Sequence, residues 1–387
     1  MNILCLDQSG SLGGAQRCLT DLLPGFLKRG WQLRLGIAGH GPLENSARQL
    51  EIPIDILPGR SYRSRQKSVS DFPRYLRHNL ELIYSIDRLA QVHKPDLLYV
   101  NGPRLMPASA LVGRLHSIPL VFHCHNRPVQ HAASWLLDQS LWTSDARVIA
   151  CCSFVADPIR HVPKDRVSVI YNGIDEATPY QPRERIHKIG VVGRVEPEKG
   201  QLGFVSAARC LSKRSSNLAF LVIGAPMFSG SEYFDQVVAA SRGLPIEFTG
   251  WRNDAATVLS DIDLLVVPST PVDFTPRVIV EAFAAGVPVV AFPSGGIPEL
   301  VKDSETGFLT TSKTVEALVD RIWAVVRMQA DTRLAVIKRA HEAWNTNYNL
   351  ERFQKAVVDL LSASVEQSRA PSQSGKQTWR KAGDVVH

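Results

Sequence analysis

Arg194 and Lys199 stand five residues apart in VVGRVEPEKGQLGF, a stretch containing Gly and Pro that follows an apolar run and precedes an amphipathic one. Two cations on one loop before a helix suit a diphosphate. Arg grips two phosphate oxygens through its planar fork, Lys acts as a point charge, and the unpaired N–H groups of a helix start add to the field. Glu196 and Glu198 lie among these cations and read as partial neutralisers, so a basic solvated loop is the plainer alternative. Asp273 and Glu281 lie eight positions apart in STPVDFTPRVIVEAFAAG. Carboxylates accept hydrogen bonds from vicinal hydroxyls, so one could hold a ribose and the other a sugar ring. Glu281 has apolar neighbours on both sides, and a buried carboxylate needs a partner. Asp273, between Pro271 and Pro276, would equally suit a turn.

Two further places could meet a ligand. In DQSGSLGGAQRC, Gly10, Gly13 and Gly14 carry the chain from a strand into a helix. Glycine lets backbone approach a ligand closely there, although a tight turn with no ligand fits as well. His125 ends the run PLVFHCH, and strand alternation puts His123 and His125 on one face, with only His125 at the carboxyl edge. His123 reads as a satisfied core histidine. Neither GxGxxG nor GxxxxGK[ST] occurs, and HCH lacks the spacing of a metal site, so no metal and no cofactor are expected.

The elements that must position these residues follow from the alternation of short β-branched runs with amphipathic stretches, the pattern of βα units on parallel sheets. Strand-like runs fall at 2–7, 33–38, 53–58, 96–100, 119–125, 147–151 and 167–172, then again at 188–193, 218–224, 246–250, 263–268 and 288–293. Helices are expected between them, at 15–29, 72–92, 104–116, 129–142 and 153–160, then at 201–212, 230–241, 253–260, 277–285 and 314–328. The pattern predicts two doubly wound α/β domains, at 1–173 and 188–345, joined by a polar linker at 174–187 that could act as a hinge. Ligands of such sheets bind outside the carboxyl ends of the strands, so domains that turn those ends together place the site in the cleft. A helix within 346–364 either closes the second domain or crosses back onto the first. Residues 365–387 lack periodic apolar positions and read as a disordered tail.

The 387 residues, 44% hydrophobic and 21% charged, have the make-up of a globular protein with a sizeable core. No apolar run reaches the ~18–20 residues of a membrane span. The opening residues read as a first strand, which favours the cytoplasm. Six cysteines form no CxxC pair and read as thiols in apolar surroundings. The net charge of +7 lies wholly in residues 1–172, with 20 Lys and Arg against 13 Asp and Glu; the remainder carries 24 of each. Arg60, Arg63, Arg65, Lys67, Arg74 and Arg77 cluster in one segment. Such a patch suits an anionic membrane surface, a phosphorylated or lipid-linked acceptor, or simply solvent. No nucleic-acid-binding motif accompanies it.

Together these segments resemble the family 4 retaining glycosyltransferases over roughly residues 1–355, chiefly through RVIVEAFAAGVPVVAFPSGGIPELV, VVGRVEPEKG and VSVIYNGID in that family's spacing. The resemblance implies the GT-B fold, two Rossmann-like domains facing across a cleft. It implies a nucleotide diphosphate sugar as donor, bound mainly by the second domain, and a hydroxyl acceptor on the first. It matches Arg194 and Lys199 to the diphosphate ligands, Gly13 and Gly14 to the N-terminal glycine loop, and Glu281 to the ribose. It places His125 near the donor sugar and Asp273 at the first acid of an E-x7-E pair. In the family as generally described, the acceptor attacks from the side the nucleotide leaves, with no metal.

The departures fall at the donor sugar. Asp273, Phe274, Thr275 and Pro276 replace the usual E-x-F-G, so the acid is one methylene shorter and Pro276 removes a backbone N–H. A sugar-nucleotide epimerase, a phosphorolytic enzyme on the same fold, or a catalytically silent nucleotide-sugar binder are the alternatives.

Overall fold

The computed structural model describes residues 1–59, 72–126, 131–159, 162–175, 179–227, 231–252 and 255–369. Arg60, Arg63, Arg65 and Lys67 of the basic segment lie outside them, as do residues 370–387 of the expected tail.

The first domain runs β1 (Asn2–Asp7), α1 (Gly14–Lys28), β2 (Gln32–Ala38), α2 (Pro42–Gln49) and β3 (Ile54–Leu57). It continues with α3 (Phe72–His93), β4 (Leu97–Asn101), α4 (Met106–Leu115), β5 (Leu120–Cys124), α5 (His131–Thr143), β6 (Arg147–Ala150), α6 (Ser153–Ala156) and β7 (Val167–Val169). The second contains β8 (Lys188–Val192), α7 (Gln201–Arg214), β9 (Ala219–Ile223), α8 (Glu232–Ser241), β10 (Ile246–Gly250), α9 (Ala255–Ser260), β11 (Leu264–Val267) and α10 (Arg277–Ala285). It ends with β12 (Val289–Ala291), α11 (Ile297–Leu300), β13 (Phe308–Leu309), α12 (Val315–Val326) and α13 (Ala330–Ala343), and α14 (Leu350–Arg369) follows.

The strand orders are β3-β2-β1-β4-β5-β6-β7 and β10-β9-β8-β11-β12-β13. All the strand pairs of both sheets are parallel. Both faces of each sheet are covered, which is why these strands read as continuous apolar runs. In β1, Leu4 and Leu6 join the core under α3 and α4, whereas Ile3 and Cys5 join the one under α1. The order reverses at β1/β4 and at β8/β11, and the crevices there are the binding positions of doubly wound sheets.

The C-terminal helix α14 packs on α1 of the first domain, and Phe353, Val357, Leu361 and Val365 belong to that domain's core. This stripe repeats every fourth residue, one side of a helix. It corrects the tail boundary: residues 365–369 are helical, because buried Val365 extends the stripe by another turn. The short α2, the edge strand β13 and α13 lie outside the elements expected above.

All six cysteines are free thiols. Five are buried, but Cys210 is exposed, contrary to the apolar surroundings expected of it. No helix among the described residues is long and apolar enough to cross a membrane.

Candidate functional site

The loop after β8 carries both cations. Arg194 follows Gly193, and Lys199 closes a 3-10 turn at Pro197–Lys199 that leads through Gly200 into α7. Gly200 has φ +74°, and a Cβ there would lie 2.0 Å from the Pro268 carbonyl oxygen, so only glycine lets this loop lie against the one after β11. The Thr270 N–H donates to the Glu198 carbonyl at 2.9 Å and joins the two loops. Lys199 Nζ donates to Asp273 Oδ2 at 2.6 Å, and Arg194 lies 3.5 Å from Glu198. Glu198 is thus a loose neutraliser. Glu196 is buried, and its carboxylate accepts the Met227 N–H at 3.1 Å.

Asp273 therefore meets a cation, in a loop held from both sides. Its carbonyl accepts the Gly296 N–H at 2.9 Å, and a Cβ on Gly295, at φ +58°, would lie 2.0 Å from the same oxygen. Glu281 stands one turn into α10, 3.8 Å from Arg277 Nε, and burial pushes its carboxyl above the ordinary range. Arg277 reaches across to the first domain, where Nη1 is 2.8 Å from Asp21 Oδ2.

On the first domain, a buried polar network closes the ends of β1, β4 and β5. Asp7, the last residue of β1, accepts from Gln16 Nε2 at 2.8 Å, Asn101 Nδ2 at 2.5 Å and the Ser9 N–H at 2.9 Å. Burial pushes its carboxyl up to about 6 despite these bonds. Asn101 Oδ1 lies 2.8 Å from His125 Nε2. Burial, aided by the Arg277 charge, pushes the His125 imidazole down to about 3, so it is neutral near pH 7. His123 stacks on His125 with ring centroids 4.0 Å apart and bonds Tyr99 through Nδ1, yet its buried Nε2 has no partner. Only half of the core-histidine reading therefore holds. Gly13 is the N-cap of α1, and a Cβ on Gly14 would meet nothing within 4 Å. The protein's own packing does not demand glycine at 14; it demands it at Gly10, whose Cβ would lie 2.5 Å from the His40 backbone.

These two sets of loops face each other. Besides Arg277–Asp21, the Arg17 guanidinium stands 5.9 Å from the Trp251 ring, and Asn172 Nδ2 bonds Thr275 Oγ1 at 3.3 Å. Asp7, Gln16, Asn101 and Arg277 were not singled out from sequence. For Asp7 and Asn101 the available signal was a polar residue closing an apolar strand beside the switch point. Among the described residues, no group of three or more His, Cys, Asp or Glu is placed to hold a metal ion.

Two parallel-sheet domains with their strand ends across a cleft make the GT-B fold. HepE of Anabaena, solved with UDP and glucose, superposes with a TM-score of 0.78 over 94% of this chain and 100% of its own, at 23% identity. WaaG, a glycosyltransferase involved in lipopolysaccharide biosynthesis, does so at 0.69, with 94% and 100% covered and 15% identity. Residues 12–178 match Glycosyltransferase Family 4 and residues 186–328 match Glycosyl transferases group 1. The chain belongs to this glycosyltransferase family. It is 25% identical to the sulfoquinovosyl transferase SQD2 of Arabidopsis thaliana over 70% of this chain and 58% of that protein. It is 28% identical to the D-inositol 3-phosphate glycosyltransferase of Rhodococcus opacus over 66% and 63%. With a putative colanic acid biosynthesis glycosyltransferase, WcaL of Salmonella typhimurium, it shares 26% identity over 79% and 80%. The chain thus spans somewhat less than two thirds of the length of the first two.

Proposed function

We propose that this glycosyltransferase moves a sugar from a nucleotide diphosphate sugar to a hydroxyl acceptor, with retention at the anomeric carbon and no metal. The observation that carries the donor half is the pair Arg194 and Lys199, on the loop after β8 at the switch point and ahead of α7. Cleavage of the sugar–phosphate bond leaves charge on the departing diphosphate. Preorganised cations and helix N–H groups stabilise that charge more than they stabilise the intact donor. The acceptor oxygen forms the new bond to the anomeric carbon as the old C–O bond breaks, and its proton passes to a phosphate oxygen. Gly13 and Gly14, with open space beside Gly14, leave room at the start of α1 for the acceptor or donor. Glu281 takes the ribose hydroxyls, while His125 and Asp273 face the transferred sugar. UDP and UDP-glucose, bound by HepE, are the first donors to try.

The acceptor side favours an anionic or lipid-linked molecule presented at a membrane surface, with the protein on the cytoplasmic face. The neighbouring helices α3, α4 and α5 expose Leu76, Leu80, Tyr84, Leu111, Trp135 and Trp142, and Arg74 and Arg77 are exposed beside the first of these. Aromatic and basic side chains on one outer layer suit an anionic interface.

A thermal-shift panel of nucleotide diphosphates and their sugars tests the donor reading, since ligands of the folded state raise its apparent stability. One nucleotide should raise the midpoint, and Arg194→Ala and Lys199→Ala should each lower kcat/KM with its sugar by ~10²-fold, about 2.7 kcal/mol. Wild-type kinetics in both variants would overturn the assignment, and activity that vanishes in EDTA would overturn metal independence.

A further inference from the structure

We infer that Asn101 is a positioning residue that holds His125 as the Nε2–H tautomer and so presents Nδ1 to the cleft as a hydrogen-bond acceptor, selecting a transferred sugar with a hydroxyl at that point. The sugar half of this rests on the donor reading above; the tautomer half does not.

The direction of the amide follows from its partners. Asn101 Nδ2 lies 2.5 Å from Asp7 Oδ2 and 3.2 Å from the Ala15 carbonyl oxygen. A carbonyl oxygen can only accept, so the NH2 group must face Ala15 and Asp7. A flipped amide would set oxygen against oxygen at both contacts. The other end of Asn101, facing His125 Nε2 at 2.8 Å, is therefore the carbonyl, which can only accept. His125 Nε2 must carry the proton. Asp7 anchors the arrangement from behind, itself fixed by Gln16 and the Ser9 N–H.

The second ring nitrogen then has a lone pair and no hydrogen. Nδ1 has no protein partner among the described residues, and it is not one of the buried polar atoms left unsatisfied. The groups around the ring are Arg277 across the cleft, His123 stacked on it, and Asp7 behind Asn101. Arg277 and the apolar surroundings disfavour a proton on Nδ1, and the charge of Asp7 is already shared among three donors. A neutral acceptor at this point bonds a hydroxyl and repels a group that can only accept, such as a carboxylate or carbonyl oxygen. Specificity built on a buried polar partner rejects the analogue that leaves it unpaired.

The test needs no ligand. In the full chain labelled with 15N-histidine, long-range 1H–15N correlation separates protonated from unprotonated ring nitrogens, and the His125 signals are those lost in His125→Gln. The expected result is a protonated Nε2 and a bare Nδ1, unchanged between pH 7 and pH 5. Asn101→Ala should give a mixture of tautomers. A protonated Nδ1 in the wild type, or an unchanged pattern in Asn101→Ala, would overturn the inference, and the wild-type spectrum decides alone if the alanine variant does not fold. His125→Ala activity is the separate check on the donor reading. Full kcat/KM there removes the sugar half and leaves the tautomer standing.

Discussion

Glu299 offers the most exacting test of how the two domains are held. It lies in α11 of the second domain, and its carboxylate accepts from three groups of the first: the Ser153 N–H at 2.8 Å, the Phe154 N–H at 2.7 Å and the Tyr171 hydroxyl at 2.7 Å. Burial alone would push this carboxyl up, but the bonds from Tyr171, Phe154 and Ser153 outweigh it and hold it below the ordinary range. Hydrogen bonds to a charged group contribute ~1.5–3 kcal/mol each when well enclosed. The carboxylate is only partly buried, so the whole set should contribute ~2–4 kcal/mol, and the Tyr171 bond about 1 kcal/mol of it. Glu299→Gln keeps the shape but turns one acceptor into an NH2 group, and either amide orientation faces at least one donor with a donor. Urea unfolding of Glu299→Gln, Tyr171→Phe and the double variant forms a cycle whose coupling reports the contact itself. Because the folded carboxyl is more acidic than the unfolded one, its stabilisation is present above the ordinary glutamate range and is lost as pH falls through the lowered value. The wild-type advantage should therefore fade in acid. Additivity of the two substitutions within about 0.3–0.5 kcal/mol at pH 7 would refute the reasoning.

Asp7 should behave with the opposite sign. Its folded value is raised to about 6, so its contribution is fully present below the ordinary aspartate value and is lost as pH rises through 6; a carboxyl 13C titration midpoint below 4.5 would contradict this. Since Asp273 holds Lys199 at 2.6 Å, Asp273→Asn should tighten free nucleotide diphosphate by about fivefold, the worth of one partly exposed ion pair, while slowing sugar transfer. Calorimetry showing weaker binding would mean that Asp273 organises Lys199 and does not compete for it. Replacing Trp135 and Trp142 together by Ala should reduce co-sedimentation with anionic vesicles at least tenfold, and equal binding by both proteins would leave these rings without a membrane role.

The sheet order and the cation loop were legible because their signals are local. A parallel strand buried on both faces is an unbroken apolar run, and Arg194 and Lys199 sit on the single loop that follows one. Glu281 was legible as a buried acid in VIVEAFAAG, but Arg277, four residues before it, reads from sequence as an ordinary surface cation. Its role depends on Asp21, 256 positions away, and no periodicity reports that distance. The same holds for Asp7 and Asn101, which meet only because β1 pairs with β4. Asp273 was legible as a departure from the family pattern, but its pairing with Lys199 follows from a contact between two loops that Gly200 makes room for. The helix α13 is hard to read from sequence because it begins with ADTR, a polar turn that hides its apolar side.

The chain crosses between the domains twice, and the crossings touch. Ile174 donates its N–H to the Tyr348 carbonyl at 3.0 Å and pairs with Asn349, while Trp344 Nε1 bonds the Ile174 carbonyl at 3.3 Å. Gly173 is glycine because a Cβ there would lie 2.4 Å from the Asn349 oxygen and 2.5 Å from Phe353 Cβ. The two covalent connections between the domains thus meet at one point, at 173–174 and 348–349. Away from it, beside one apolar contact of Phe274 with Phe154 and the first domain's core, lie polar contacts: Glu299 on α6, Asn172 on Thr275 and Arg277 on Asp21. Such bonds can be exchanged for water, whereas the apolar packing of α14 on α1 cannot be exposed without loss of core. The arrangement therefore combines a large apolar anchor at α14 with several replaceable polar contacts across the cleft, which is what the proposed entry of a donor and exclusion of water would require.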